Sequence, residues 1–220
     1  DNNSDGQAES WPSPQFTFYT GSLLGGAGLW KEAFQEAANR WNDAATDFQI
    51  ITVAESSPAG RCTLTGNNTA YFSTDICGDE FGTGVLAVAT NSYIPGLNRY
   101  TKSEIIFNIA EPWNVYDGNQ KSSENDFRRV AIHELGHSMG LDHSARQDSI
   151  MYAFIENIFI PQIEEVNFVK AIYGNKFFTL KINIEGKGKV AILPKVLGTG
   201  VVNNNMFYTG SYSNFLDCNE

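Results

Sequence analysis

The patterning of this chain predicts an α+β fold: strands and helices interleaved over most of its length, then a short β segment at the C-terminal end. Three observations predict it. Short runs rich in aromatic and β-branched residues are separated by longer runs whose apolar residues recur at helical spacing. Beyond Gly174 the pattern switches to apolar–polar alternation, as in half-buried strands. With 42% hydrophobic and 18% charged residues, the 220-residue chain has an ordinary globular balance, long enough for one good core plus a small appendage.

The elements follow in order. Residues 1–14 open with Asp1-Asn2-Asn3-Ser4-Asp5 and read as a flexible segment at the start of a processed mature chain. Residues 16–19 read as a first strand, and Gly25, Gly26 and Gly28 as a flexible turn. Residues 29–45 read as an amphipathic helix whose stripe is Trp30, Phe34, Ala37, Trp41 and Ala45, a core-packing face. Residues 48–53 form a second strand, and residues 55–82 a loop-rich stretch with a short strand around Tyr71 and Phe72. Strands follow at 85–90 and 104–109, then a polar connection over 112–125. A helix over 126–139 can bury Phe127, Val130, Ala131 and Leu135, with Glu124 and Asp126 suited to its positive N-terminal end. After residue 174, strands are expected at 177–185 and 189–193 around a turn at Gly186-Lys187-Gly188. The remainder is rich in Gly, Asn, Tyr and Ser.

All three histidines of the chain lie in one run: His133-Glu134-Leu135-Gly136-His137-Ser138-Met139-Gly140-Leu141-Asp142-His143. This is H-E-x-x-H extended to H-E-x-x-H-x-x-G-x-x-H. Histidine used for packing or surface polarity would be scattered. His133 and His137 are four apart, so a helix puts them on one face, one turn apart. Two imidazole nitrogens can then reach one zinc ion at roughly 2.0–2.1 Å. Glu134 is rotated away from that pair and suits a general base acting on metal-bound water. Gly140 tolerates the left-handed conformation that ends helices, which lets the chain return His143 as a third ligand. Three protein ligands leave a fourth position for water, the pattern of a catalytic zinc. A lone H-E-x-x-H also occurs as a solvated helix face; the added Gly and third His argue against that reading.

Met151 follows in Ser149-Ile150-Met151-Tyr152-Ala153. A methionine alone is usually a core gap-filler; after a complete zinc motif it resembles the Met-turn beneath a metal site. On these residues the chain resembles the metzincin endopeptidases, and most the matrixin (matrix metalloproteinase) branch. Ser144 after the third His matches the matrixin pattern, and Ala153 stands where astacins and serralysins carry a tyrosine. The stretch from Gly84 through Ala89 resembles the family's edge strand over the cleft. Ile105-Ile106-Phe107-Asn108, with Glu111 and Trp113, resembles the next strand and its exit. Ile163 to Gly174 resembles the closing helix. The likeness covers roughly residues 16–174. It implies a twisted mixed β-sheet with three main helices in a catalytic domain spanning 15–175, leaving 176–220 as a small β appendage or truncated β module. It also implies that substrate adds as a strand at Leu86, Ala87 and Val88, and that Ala153, Phe154 and Ile155 line the primed-side pocket.

The departures inform as well. Many matrixins hold a second, structural zinc through an edge-strand His; Val88 stands here and no histidine is left over, so one catalytic zinc is expected. Acidic and Asn residues are plentiful enough for a calcium site, without ligands that can be assigned. The family's propeptide cysteine switch is missing, Arg61-Cys62 being a poor substitute, so the chain is a mature form or its latency works differently.

A net charge of −10 and a pI near 4.7 disfavour nucleic acid and anionic membranes as partners. No apolar run approaches the roughly 20 residues that span a bilayer. Cys62 and Cys77 bracket a polar stretch and suit a disulfide, worth about 3 kcal/mol in the chain-entropy model; the alternative is two reduced thiols. A disulfide fits an extracellular compartment, and Cys218 is left free or paired elsewhere. The expectation is a secreted, monomeric zinc endopeptidase acting on proteins or peptides. A non-cleaving zinc-containing binding module and a narrow-specificity zinc hydrolase are the rivals; the intact Glu134 argues against the first.

Overall fold

The computed structural model describes residues 9–25, 28–44, 46–57, 60–94, 98–174, 178–182, 199–202 and 205–210. The chain divides into two compact units, Asp1–Gly174 and Asn175–Glu220. The first unit runs β1 (Gln15–Tyr19), α1 (Leu29–Asn42), β2 (Gln49–Val53), β3 (Asn68–Ser73), β4 (Asp75–Ile76) and β5 (Asp79–Glu80). It continues with β6 (Ala87–Ile94), β7 (Arg99–Asn108), β8 (Trp113–Asn114), β9 (Asn125–Asp126), α2 (Phe127–Ser138) and α3 (Ile163–Tyr173). This is the expected α+β architecture of a mixed sheet and three helices.

Five strands form one sheet in the order β2-β1-β3-β7-β6. The pairs β1–β2, β1–β3 and β3–β7 are parallel, while β6 runs antiparallel to β7 at the sheet edge. In β7, Tyr100 and every residue from Lys102 to Phe107 are buried, as a strand covered on both faces requires. In α1, Ala33, Phe34, Ala37, Ala38 and Trp41 are buried at helical spacing. Trp41 Nε1 donates to the Ile132 carbonyl at 2.9 Å and ties α1 to α2. Phe18, Phe34, Trp41, Phe107, Phe127 and Leu135 share one hydrophobic core.

Several boundaries differ from the sequence expectation. α1 ends at Asn42, and Ala45 lies outside the described residues. α2 starts at Phe127; Asp126 is its N-cap, accepting from the Arg128 amide, while Glu124 lies outside the first turn and takes Asn114 and Lys121. The polar connection contains a short parallel pair, β8 with β9, too brief to leave a hydrophobic period. Residues 9–14, expected within a flexible segment, lie against the domain. Ser10 bridges Arg99, and Trp11 stacks edge-on to Phe16 and donates through Nε1 to the Ser138 carbonyl at 2.7 Å. An indole that buries its face and spends its one donor is held by both.

Cys62 and Cys77 are joined, with Cα atoms 5.4 Å apart. The closed loop covers a buried ion pair. Lys102 Nζ lies 3.2 Å from Glu104 Oε1, and the Cys62 amide donates to both Glu104 oxygens. In the second unit, β10 (Phe178–Ile182), β11 (Thr199–Val202) and β12 (Asn205–Gly210) form an antiparallel sheet in the order β10-β12-β11. The strand expected at 189–193 and Cys218 lie outside the described residues. β11 and β12 fall in the stretch read only as rich in small and polar residues: Gly200, Asn205 and Gly210 interrupt their alternation. Among the described residues, no helix is long and apolar enough to cross a membrane.

Candidate active site

The site is built on the C-terminal half of α2. A glycine cap ends this helix. Gly140, at φ 98°, donates to the His137 carbonyl at 2.9 Å, and the Leu141 amide reaches back to the Gly136 carbonyl at 3.1 Å. That paired closure reverses the chain. The last carbonyls find further partners: Trp11 on Ser138, Tyr173 Oη on Met139 at 2.9 Å, and Asn91 Nδ2 on His137 at 2.8 Å. The helix end is therefore pinned by the N-terminal segment, by α3 and by the edge strand β6.

His133, His137 and His143 converge, each offering a ligand atom within 4.8 Å of the others. His133 Nδ1 lies 2.8 Å from the Ile150 carbonyl and His137 Nδ1 lies 2.6 Å from the Leu141 carbonyl. A carbonyl only accepts, so both Nδ1 atoms carry the proton and both Nε2 atoms present bare lone pairs. Those two Nε2 atoms lie 3.0 Å apart. With no proton between them they repel unless a cation lies in front of both. Two ligands on a tetrahedral zinc stand about 3.3 Å apart, so the spacing fits a metal. Burial first, then the neighbouring His137 and His143, lowers His133 to about 3; burial likewise lowers His137. Neutral imidazoles are the ligand form.

Glu134 is 5% exposed, and its Oε2 has no hydrogen-bond partner. Burial pushes its carboxyl up to about 8, against the pull of the Ala89 backbone hydrogen bond. A buried carboxylate oxygen without a donor is costly, and a bound cation with its water is the kind of group that resolves it. Met151 lies buried below. A Cβ placed on Gly136 would stand 2.3 Å from Met151 Sδ, so Gly136 is what lets the methionine approach. The turn carrying it is tied down: the Ser144 amide donates to the Met151 carbonyl, the Met151 amide to Ser149 Oγ, and Ser149 Oγ to the buried Glu165 of α3.

All six residues expected to meet substrate line one cleft of about 1140 Å³ that runs past the histidines. Leu86, Ala87 and Val88 come from the start of β6 and its approach; Ala153, Phe154 and Ile155 come from the segment after Met151. Sequence reasoning missed Asn91, Ser149, Glu165 and Arg129. Only Arg129 left a signal: it is four residues before His133, on the same helical face as the ligands.

The Matrixin family profile matches residues 26–174. The chain belongs to the matrixin family. It is 35% identical over 80 residues to matrix metalloproteinase-B of Caenorhabditis elegans, covering 35% of this chain and 15% of that one. It is 39% identical over 70 residues to matrix metalloproteinase-2 of Drosophila melanogaster, covering 32% of this chain and 9% of that one. With metalloendoproteinase 4-MMP of Arabidopsis thaliana it shares 33% over 119 residues, covering 50% of this chain and 32% of that one. This matrixin chain thus spans less than a third of the length of each of these relatives.

Proposed function

We propose that this matrixin chain is a secreted zinc-dependent endopeptidase that hydrolyses internal peptide bonds of proteins. The observation that carries the reading is the pair of bare imidazole nitrogens 3.0 Å apart beside the unpartnered Glu134 carboxylate oxygen, all on the wall of one long cleft. His133, His137 and His143 would hold the metal. Zinc bound there would lower the pKa of its water toward neutrality and polarise the scissile carbonyl. Glu134 accepts the proton of the attacking water and delivers it to the leaving amine. Its burial and its unpartnered Oε2 support this role, because that oxygen is not already committed to another donor. The substrate backbone pairs with the edge strand at Leu86, Ala87 and Val88, a mode tolerant of sequence. The residue following the cleaved bond enters the pocket beside Ala153, Phe154 and Ile155, and an apolar side chain is preferred there. The Cys62–Cys77 bridge supports an oxidising compartment.

Unfolded casein tests this. Wild-type protein should produce internal cleavages, lose them on chelation and regain them with zinc. Trimming from the ends alone would instead support the narrow hydrolase.

A further inference from the structure

We propose that Cys62, Cys77 and Glu104 form a second, redox-gated metal site, which takes zinc when the Cys62–Cys77 bridge is reduced and releases it when the bridge closes. One ligand atom from each of the three lies within 4.8 Å of the others. Three elements bring them together: Cys62 sits in the loop between β2 and β3, Cys77 at the tip of the β4–β5 hairpin, and Glu104 on β7. Cys77 and Gly78 take φ 57° and 101°, the left-handed pair of a tight hairpin turn. Glu104 is buried and already aimed, because the Cys62 amide donates to both of its oxygens at 3.0 Å. The bridge is not all that holds the loop. Lys102 Nζ donates to the Gly60 carbonyl at 3.0 Å and to Thr63 Oγ1 at 2.9 Å, so the two thiols stay neighbours after reduction.

The donor set selects the ion. Two thiolates and a carboxylate suit zinc, whereas calcium and magnesium take oxygen ligands. Two zinc–sulfur bonds of about 2.3 Å in a tetrahedron set their sulfurs about 3.8 Å apart. Both cysteines are exposed, with room to open that far and with solvent at hand for a fourth ligand. Zinc with these three ligands carries a single net negative charge, which the Lys102 ammonium, 3.2 Å from Glu104, offsets. Tyr71 Oη lies 3.6 Å from Cys62 Sγ. Burial pushes that hydroxyl up to about 12, so it keeps its proton and donates to a thiolate. The step balances. An external dithiol passes two electrons to the bridge and becomes a disulfide, Cys62 and Cys77 take up its two protons, and zinc then displaces both protons to solvent. Closure is the reverse: the sulfur–sulfur bond forms as both zinc–sulfur bonds break, two electrons leave to a disulfide oxidant, and zinc is expelled. An oxidising compartment keeps the bridged, zinc-free form.

The test uses the full chain with its histidine site filled, and reads only the difference between oxidised and reduced protein, so cleavage activity does not enter. The reductant is a water-soluble phosphine, which becomes its oxide with oxygen from water and competes less for zinc than a dithiol does. Bound zinc should rise by one equivalent per chain on reduction and fall again on reoxidation. Cobalt offered in place of the added zinc should give a thiolate-to-metal charge-transfer band in the reduced protein only. The chain carrying Cys62→Ser with Cys77→Ser lacks the bridge under both conditions and should take no further zinc. Glu104→Gln should weaken the additional zinc tenfold or more. Reduced wild type that takes no further metal, or takes it without the charge-transfer band, overturns the proposal. So does a Glu104→Gln chain that binds the additional zinc as tightly as wild type, since the site is then a plain dithiol. Should Glu104→Gln fail to fold, melting temperatures decide: a rise with added zinc in reduced wild type, absent from the double-serine chain, sustains the site, and equal responses overturn it.

Discussion

Glu134 carries opposite demands in the metal-free and metal-bound protein. Its carboxyl titrates near 8 in the metal-free fold and near 4.5 when exposed, so between those values the folded chain holds a proton the unfolded chain has released. The stability this lends is fully present below pH 4.5 and lost as pH rises through 8. Metal-free wild type should therefore lose stability relative to metal-free Glu134→Gln between about pH 5 and about pH 9, by a few kcal/mol. The depressed His133 is common to both proteins and cancels in the comparison. Thermal melts in chelator across that range check this; parallel curves would contradict it. This level of the site was the most legible in the sequence. His133, Glu134 and His137 sit within one helical turn, so their spacing alone specifies their geometry. Asn91 and Arg129 were not recognised. Asn91 meets the site from 46 positions away, which no spacing records; Arg129 stands four residues before His133, a spacing that puts it on the ligand face without showing that it lines the cleft.

At the scale of elements, α2 works as a platform clamped from three sides. Gly136 is what lets the Met151 side chain pack close against it. Gly136→Ala forces a methyl into Met151 Sδ and should cost about 1–3 kcal/mol as overpacking, with weaker zinc retention. Met151→Ala added to it should recover part of the loss, since the two effects share one space. Melting temperature and zinc content of the four proteins measure both; additive losses would sink the account. Ser149→Ala should likewise loosen the turn that orients the Ile150 carbonyl on His133, lowering zinc affinity more than stability, which a competing chelator titration reads. Long elements such as α1 and α2 were legible because their apolar period repeats several times. The two-residue strands β8 and β9 were not, because they are too short to repeat a period, and the clamp from Trp11 was not, because its partner is distant in sequence: Trp11 meets Ser138 across 127 positions.

At the scale of the whole molecule, every described residue that lines the cleft belongs to the Asp1–Gly174 unit. A chain ending at Gly174 should keep zinc and casein cleavage, and loss of both would assign residues 175–220 a part in the fold. The Cys62–Cys77 bridge closes its loop over the buried Lys102–Glu104 pair on β7, next to the edge strand. Reduction, or Cys62→Ser with Cys77→Ser, should cost about 3 kcal/mol in the chain-entropy model, seen as a lower melting temperature with zinc still bound. The class of fold and the order of the main elements could be read from periodicity. β11 and β12 could not, because glycine and asparagine break their alternation and only backbone pairing reveals them. The most direct test of the central claim is casein cleavage by wild type beside Glu134→Ala, with zinc measured in both. Internal cleavage by the wild type, and none by a mutant that holds equal zinc, is the predicted result. A zinc-loaded wild type that does not cut, or a mutant that cuts as well, would contradict the endopeptidase mechanism.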